Sequence, residues 1–466
     1  MNNKTKEATM KIANVLLAAA MAVGISACST TGKVPEKKQA QTKAKAKVKA
    51  PAPYEIRIQF DNSTGIYKVG DTVKFKITFK KDGKNFAGQR AGYSLDMPGN
   101  KTKMQIFTTA ASNEFQFKLE KPGSVMVEAA AVTADGKIMT YQQGKATKRI
   151  VTKNGVIASP EQIRQGLPEP ADFKKFWDDA KAELAKIPVK AKLEKIALPK
   201  KHSGKFNAWD VKVDCIGGVP VSGCLSIPKN AKPKSLPARV YFHGAGVYTS
   251  NPPCNNNKLI EFDVNAHGIL NGQKRDYYQK LSKTLLAKYP HKNADNRDKF
   301  YFRNMFLRVQ RALDYVKTLP EWDGKNLIVY GGSQGGAQAL VAGGLDPQVT
   351  LIYAGVPALS DHGGILVGRE SGWPRLIKVK KGKPVNPAIV KTAPYYDVAN
   401  FAKYIKGEAH LTVGLVDKVC VPTSVYAAYN NIPGEKTISV VTNLGHAYIV
   451  SRAYEKRLKE LTAAVK

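Results

Sequence analysis

A serine framed by glycines, a late histidine and an aspartate closing an apolar run are the residues of this chain best able to do chemistry together. Ser333 stands in Gly331-Gly332-Ser333-Gln334-Gly335, within KNLIVYGGSQGGAQALVAGG (325–344). An apolar strand that passes through G-x-S-x-G straight into a helix is the setting of a nucleophile elbow. There the serine holds a strained backbone, and a side chain at either flanking glycine would strike strand or helix. A serine hydroxyl is a poor nucleophile at neutral pH, so it needs a base within hydrogen-bond reach and an anion to orient that base. Downstream of Ser333 stand His362, His410 and His446, and only His446 lies past every candidate acid. It follows a strand-like run near the C-terminus, as the chain order serine, acid, histidine requires. The acid is Asp417, because HLTVGLV before it reads as a strand whose end would place the carboxylate on the rim that carries Ser333. Asp346 falls in a helix-to-strand loop at the opposite edge, and Asp361 and Asp397 read as caps or turn residues.

An acyl-transfer site also needs donors for the oxyanion. One is the backbone amide of the residue after the nucleophile, Gln334, and the other comes from the loop after an early strand. VYFHGAG supplies that loop, and Ala245 is assigned the second amide, since His243-Gly244-Ala245-Gly246 allows close backbone approach. His243 itself is read as structural.

These residues need a scaffold of alternating strands and helices, and the sequence has one. Phe173, Phe176, Trp177, Ala180 and Leu184 recur at helical spacing and Pro188 closes the run, giving an amphipathic helix. Strand-like runs follow at 209–215, 220–227, 238–242 and 259–264, with helical stretches at 277–289 and 301–319. LIVY, the helix AQALVAGG, VTLIYAG, HLTVGLVD, the helix SVYAAYNNI and TISVVTN continue the alternation. Repeated β-α units mean an α/β domain, here 158–466, with a mostly parallel sheet covered by helices on both faces.

Upstream the period changes to two. Val73, Phe75, Ile77 and Phe79 alternate with Lys74, Lys76, Thr78 and Lys80, and turn signals such as Lys81-Asp82-Gly83 recur. Residues 54–152 therefore read as a small all-β, immunoglobulin-like sandwich. It carries no convergent polar set and reads as a spacer or packing domain. Residues 29–53 are rich in lysine, alanine and proline and bury too little to offset ordering entropy, so they form a flexible tether. Residues 1–28 read as an export signal, with Lys4, Lys6 and Lys11 before the apolar run Val15 to Ile25. Ile25-Ser26-Ala27-Cys28 resembles a bacterial lipobox, which makes Cys28 the lipidated first residue of an envelope protein anchored to a membrane.

Export puts Cys215, Cys224, Cys254 and Cys420 where disulfides are allowed, and their spacing leaves all three full pairings open. None has zinc-ligand spacing with histidines nearby, and no metal or organic cofactor is implied. The formal charge is +36, and the first 53 residues hold only ten lysines against two glutamates, so most of the excess falls on the folded part. Such a field favours anionic surroundings, for example lipid headgroups or acidic glycans. No motif points to nucleic acid.

With these residues placed, the domain from about Pro168 onward resembles the acetyl xylan esterase and cephalosporin C deacetylase family of α/β hydrolases. The resemblance is carried by LPEWDGKNLIVYGGSQGGAQAL around Ser333, by Tyr395-Tyr396-Asp397 and Asn400-Phe401-Ala402, and by VGLVDKVCVPTSVYAAYN around Asp417. It implies an α/β-hydrolase fold, a triad of Ser333, Asp417 and His446, and removal of acetyl groups from plant polysaccharide or oligosaccharides. Another acyl hydrolase on the same scaffold, a feruloyl esterase or a peptidase, is the alternative, and a surface lipoprotein that holds glycans without catalysis is the other class. Two positions depart from the family. Asn265-Ala266-His267-Gly268 stands where the family has Arg-Gly-Gln, and His446-Ala447 where it has His-Glu. The first bears on substrate and on the family's ring-shaped hexamer, so self-association stays open, and His267 is read as structural.

Overall fold

The structure, a computed structural model, describes residues 54–466 except 98, 99, 111, 112, 448, 450, 464 and 466. The expected signal, Cys28 and the tether lie outside the described residues.

The alternation in the N-terminal region becomes two facing sheets. Thr72–Lys81 buries Val73, Phe75, Ile77 and Phe79 and turns its lysines outward. It pairs antiparallel with Tyr54–Phe60 and with Asn113–Lys118, in a register that sets Ile58 opposite Ile77 and Phe75 opposite Phe115. In the second sheet Gly123–Ala131 lies between Val151–Ala158 and Arg90–Met97, both antiparallel to it. Phe75, Ile77, Val127, Ala129 and Val156 fill the space between the sheets. The strand expected to close the sandwich at Thr152 runs on to Ala158, because Gly155, Val156, Ile157 and Ala158 keep their pairing with 123–126. Ile157 belongs to the core of the following domain, so one strand serves both.

The second domain is built on a sheet of nine strands among the described residues. Their order is Ala191–Lys195, Phe206–Val213, Val221–Pro228, Ile260–Asn265, Leu236–Phe242, Trp322–Gly332, Val349–Gly355, Glu408–Gly414 and Lys436–Val441. The first three junctions are antiparallel and the rest parallel. Strands sandwiched between helices on both faces must be apolar throughout. Leu327, Ile328 and Val329 fit this, with no exposure on either face. The first edge, AKLEK, is almost wholly exposed and lysine-rich, which discourages pairing with another chain.

Helix Phe173–Ala185 buries the five residues expected of it, and the Trp177 indole donates to the Tyr395 carbonyl at 3.0 Å. Tyr301–Val316 forms as a helix and is nearly all buried. The helix expected over 277–289 is shorter, Arg275–Lys283. Thr284 leaves helical geometry at φ −118° and ψ −99°, and Pro290 lacks the amide needed to continue. The C-terminal ends of Leu236–Phe242, Trp322–Gly332 and Glu408–Gly414 share one rim, which carries the site.

Candidate active site

Ser333 caps the helix Gln334–Leu345 with φ 55° and ψ −121°, a conformation costly for any residue with a Cβ. Its neighbours hold it there. The Ser333 amide donates to the Gly355 carbonyl at 2.8 Å, and its carbonyl accepts from Ala337 and Ala358 at 3.0 Å each. The glycines are required by close approach. A Cβ on Gly331 would lie 2.2 Å from the Gly335 carbonyl oxygen, and one on Gly335 would lie 2.1 Å from that of Phe242.

Asp417 follows the Glu408–Gly414 strand and is 1% exposed. Its Oδ1 accepts from the amides of Val419 at 2.7 Å and Cys420 at 3.1 Å, which fixes the turn and leaves Oδ2 free to face His446 Nδ1 at 2.8 Å. A carboxylate can only accept, so Nδ1 carries the imidazole proton and Nε2 is left as the acceptor. Nε2 stands 3.0 Å from Ser333 Oγ. The histidine loop is laid along the end of the acid strand. Leu415 donates to Val441 at 2.9 Å and Val416 to Leu444 at 3.2 Å, and a Cβ on Gly414 would meet the Leu444 oxygen at 2.2 Å. Three residues far apart in sequence thus form one hydrogen-bonded line.

The loop His243 to Gly246 lies against the elbow, with the Gln338 side chain donating to the His243 carbonyl at 3.0 Å. Ala245 is exposed on this loop, and Gln334 opens the elbow helix with its side chain buried. The Tyr289 hydroxyl donates to Gln334 Oε1 at 2.6 Å. His267 Nε2 contacts the Gly246 carbonyl at 2.7 Å, so Nε2 holds the proton and Nδ1 accepts from the Tyr301 hydroxyl at 2.8 Å. Burial lowers the His267 pKa to about 3, which keeps the ring neutral in this role. The ring props the loop and is 3% exposed. His243 is also tied into the scaffold, by Asp263 at 3.0 Å, Ser250 at 3.2 Å and a stacked Tyr248 ring.

The remaining acids and histidines serve packing. Lys317 pairs with Asp346, and Arg369 reaches Asp361 at 2.7 Å. Asp397 accepts from the amides of Asp361, His362 and Ala399, and burial pushes its carboxyl up to about 6. His362 is fully buried, and His410 bonds Thr437 and Glu408. Cys215, Cys224, Cys254 and Cys420 are buried free thiols, so none of the open pairings is made. The sequence offered Cys420 only as a possible disulfide partner, yet the thiol lies beside Ser333. Its place three residues after the acid was the available signal. Tyr289 and Tyr301 were likewise missed, since tyrosines in a helical run look like ordinary core.

Comparison with known proteins gives the family. The acetyl xylan esterase family model matches residues 161–463. An acetyl esterase of Xylanibacter ruminicola is 34% identical over 315 residues, which is 66% of this chain and 70% of that protein. The solved acetyl xylan esterase of a Paenibacillus species is 25% identical, with a TM-score of 0.53 over 66% of this chain and 98% of its own. That of a Thermoanaerobacterium species shares the fold, at 24% identity and a TM-score of 0.55 over 66% of this chain and 97% of its own. The sandwich strands precede the family match. This chain therefore belongs to the acetyl xylan esterase family, ester hydrolases of the α/β-hydrolase fold.

Proposed function

We propose that this protein is a serine esterase that removes acetyl groups from carbohydrate, with Ser333, His446 and Asp417 as its catalytic triad. The observation that carries the reading is the line Ser333 Oγ, His446, Asp417, with 3.0 and 2.8 Å contacts on the correct ring nitrogens. Ser333 Oγ attacks the acetyl carbonyl while His446 Nε2 takes its proton, and the amides of Gln334 and Ala245 receive the negative charge on the carbonyl oxygen. As the ester C–O bond breaks, His446 gives the proton to the departing sugar oxygen, which leaves as a hydroxyl. Water, deprotonated by the same nitrogen, then cleaves the acetyl-serine and releases acetate. The resident charge on Asp417 orients the ring and stabilises its cationic form.

An acetyl-sized pocket makes a specific demand. Each added methylene must displace packed atoms or stay in water, a mismatch worth about 1–3 kcal/mol. Measured on acetyl, propionyl and butyryl esters of one alcohol, kcat/KM is expected to fall about tenfold or more at each step. A butyryl ester cleaved as fast as the acetyl ester would remove the deacetylase reading and leave the serine chemistry standing.

The reading extends to place. The segment Ile25-Ser26-Ala27-Cys28 supports export and a lipid anchor in the cell envelope, with the following lysine-rich stretch as tether. The expected result of Cys28→Ser in the native host is a shift of the protein from the membrane pellet to the soluble fraction with unchanged specific activity. Pelleting as before would exclude the anchor.

A further inference from the structure

The N-terminal sandwich does not stand off as a spacer. Its second sheet lies against the two loops that carry Asp417 and His446. The Gly155 amide donates to the Thr442 carbonyl at 2.9 Å, so a sandwich strand is hydrogen-bonded to the end of the strand that leads to His446. The same residue touches the acid loop. A Cβ on Gly155 would fall 2.5 Å from the Leu415 carbonyl oxygen and 2.8 Å from the Leu415 Cβ. Gly65, at φ +69°, closes the other side, where a Cβ would lie 2.6 Å from Thr442 Cγ2 and 3.2 Å from Leu415 Cδ1. Gly65 is itself pinned by Ile157, whose amide donates to its carbonyl at 2.8 Å. Further along, Asp96 of the sandwich pairs at 2.7 Å with Lys418, the residue directly after the catalytic acid. The Arg375 side chain also donates to the Lys418 carbonyl at 2.6 Å.

Leu415 is two residues before Asp417 and Thr442 is four before His446, so one sandwich strand braces from outside the two loops that present the acid and the base, which are also bonded to each other through Leu415–Val441 and Val416–Leu444. A triad works only within a narrow range of positions, and a misplacement of about 1 Å can cost about 100-fold in rate. The family match begins at residue 161, which leaves the sandwich outside the matched region. We infer that the sandwich is a positioning element for the triad, acting through Gly155 and Gly65 on Leu415 and Thr442, and through Asp96 on Lys418.

This rests on the serine-esterase reading, and Ser333→Ala assayed beside the variants below keeps the two apart. In full-length protein, Gly155→Val is compatible with a strand backbone but drives a Cβ into Leu415. It is expected to lower kcat about 10- to 100-fold with KM within about threefold of wild type. Phosphonylation of Ser333 by a small phosphonate, which reports nucleophile activation and not sugar binding, should slow by the same factor. Asp96→Lys sets two cations together and should slow both rates about two- to fivefold, as expected of a half-exposed ion pair. Adding Lys418→Asp should restore at least half of that loss, a rescue that general destabilisation would not give. Wild-type kcat and labelling in folded Gly155→Val, or no rescue in the charge-swapped pair, would overturn the inference while inactive Ser333→Ala kept the esterase reading. If Gly155→Val fails to fold, the charge swap decides alone. Full activity in Ser333→Ala would instead sink the reading beneath both.

Discussion

Ser333→Ala is expected to lower kcat on a small acetyl ester by about 10⁴- to 10⁶-fold, because in the proposed mechanism Ser333 Oγ is the attacking atom and the three triad residues act as one unit. Every contact that builds the elbow survives the substitution. The Ser333 amide still meets the Gly355 carbonyl, and its own carbonyl still accepts from Ala337 and Ala358. The variant should therefore fold as wild type and bind substrate with little change in KM. The rate that remains comes from oriented binding and the oxyanion amides, with water attacking directly. The measurement is steady-state turnover with the protein's melting temperature checked in parallel. More than a tenth of wild-type activity in a folded variant would show that another group attacks the ester.

The parts of the site legible in the sequence are those whose chemistry forces a local pattern. The elbow is one, since Gly331 and Gly335 are dictated by carbonyl oxygens 2.2 and 2.1 Å, respectively, from where a Cβ would sit, and steric demand of that kind leaves a fixed spacing. Asp417 was legible because a parallel strand ends in front of it, and His446 because chain order left no other candidate. What sequence hid was contact across long separations. Nothing near Gly155 announces that it meets Leu415 and Thr442, so the sandwich read only as a spacer or packing domain. His267 read as structural, and its partners, the Gly246 carbonyl and the Tyr301 hydroxyl, are apparent only once the strand after the oxyanion loop is folded beside it. The antiparallel start of the sheet was hidden for a related reason. Val221–Pro228 is buried throughout and so carries no pattern that separates parallel from antiparallel neighbours.

Asp417→Asn tests whether the acid acts by orienting His446, and the geometry allows the outcome to be argued in advance. The carboxylate serves two masters. Oδ1 accepts from the amides of Val419 and Cys420, and Oδ2 accepts from His446 Nδ1. An asparagine has one oxygen. If that oxygen stays with the two backbone amides, the side-chain NH2 faces Nδ1, two donors meet, and the ring shifts its proton to Nε2. Nε2–H then points at Ser333 Oγ and cannot accept its proton. If the amide flips to serve the ring, its NH2 faces two buried backbone donors, a conflict costing about 1–3 kcal/mol for each unsatisfied group. Keeping two bonds is better than keeping one, so the first arrangement is expected. It lowers kcat by about 10³- to 10⁴-fold, less than loss of Ser333, because the histidine remains in place. Chemical denaturation of the variant should show little loss of stability, whereas the flipped arrangement would show a large one with activity retained. Turnover within tenfold of wild type at unchanged stability would mean that some group other than Asp417 sets the histidine's proton.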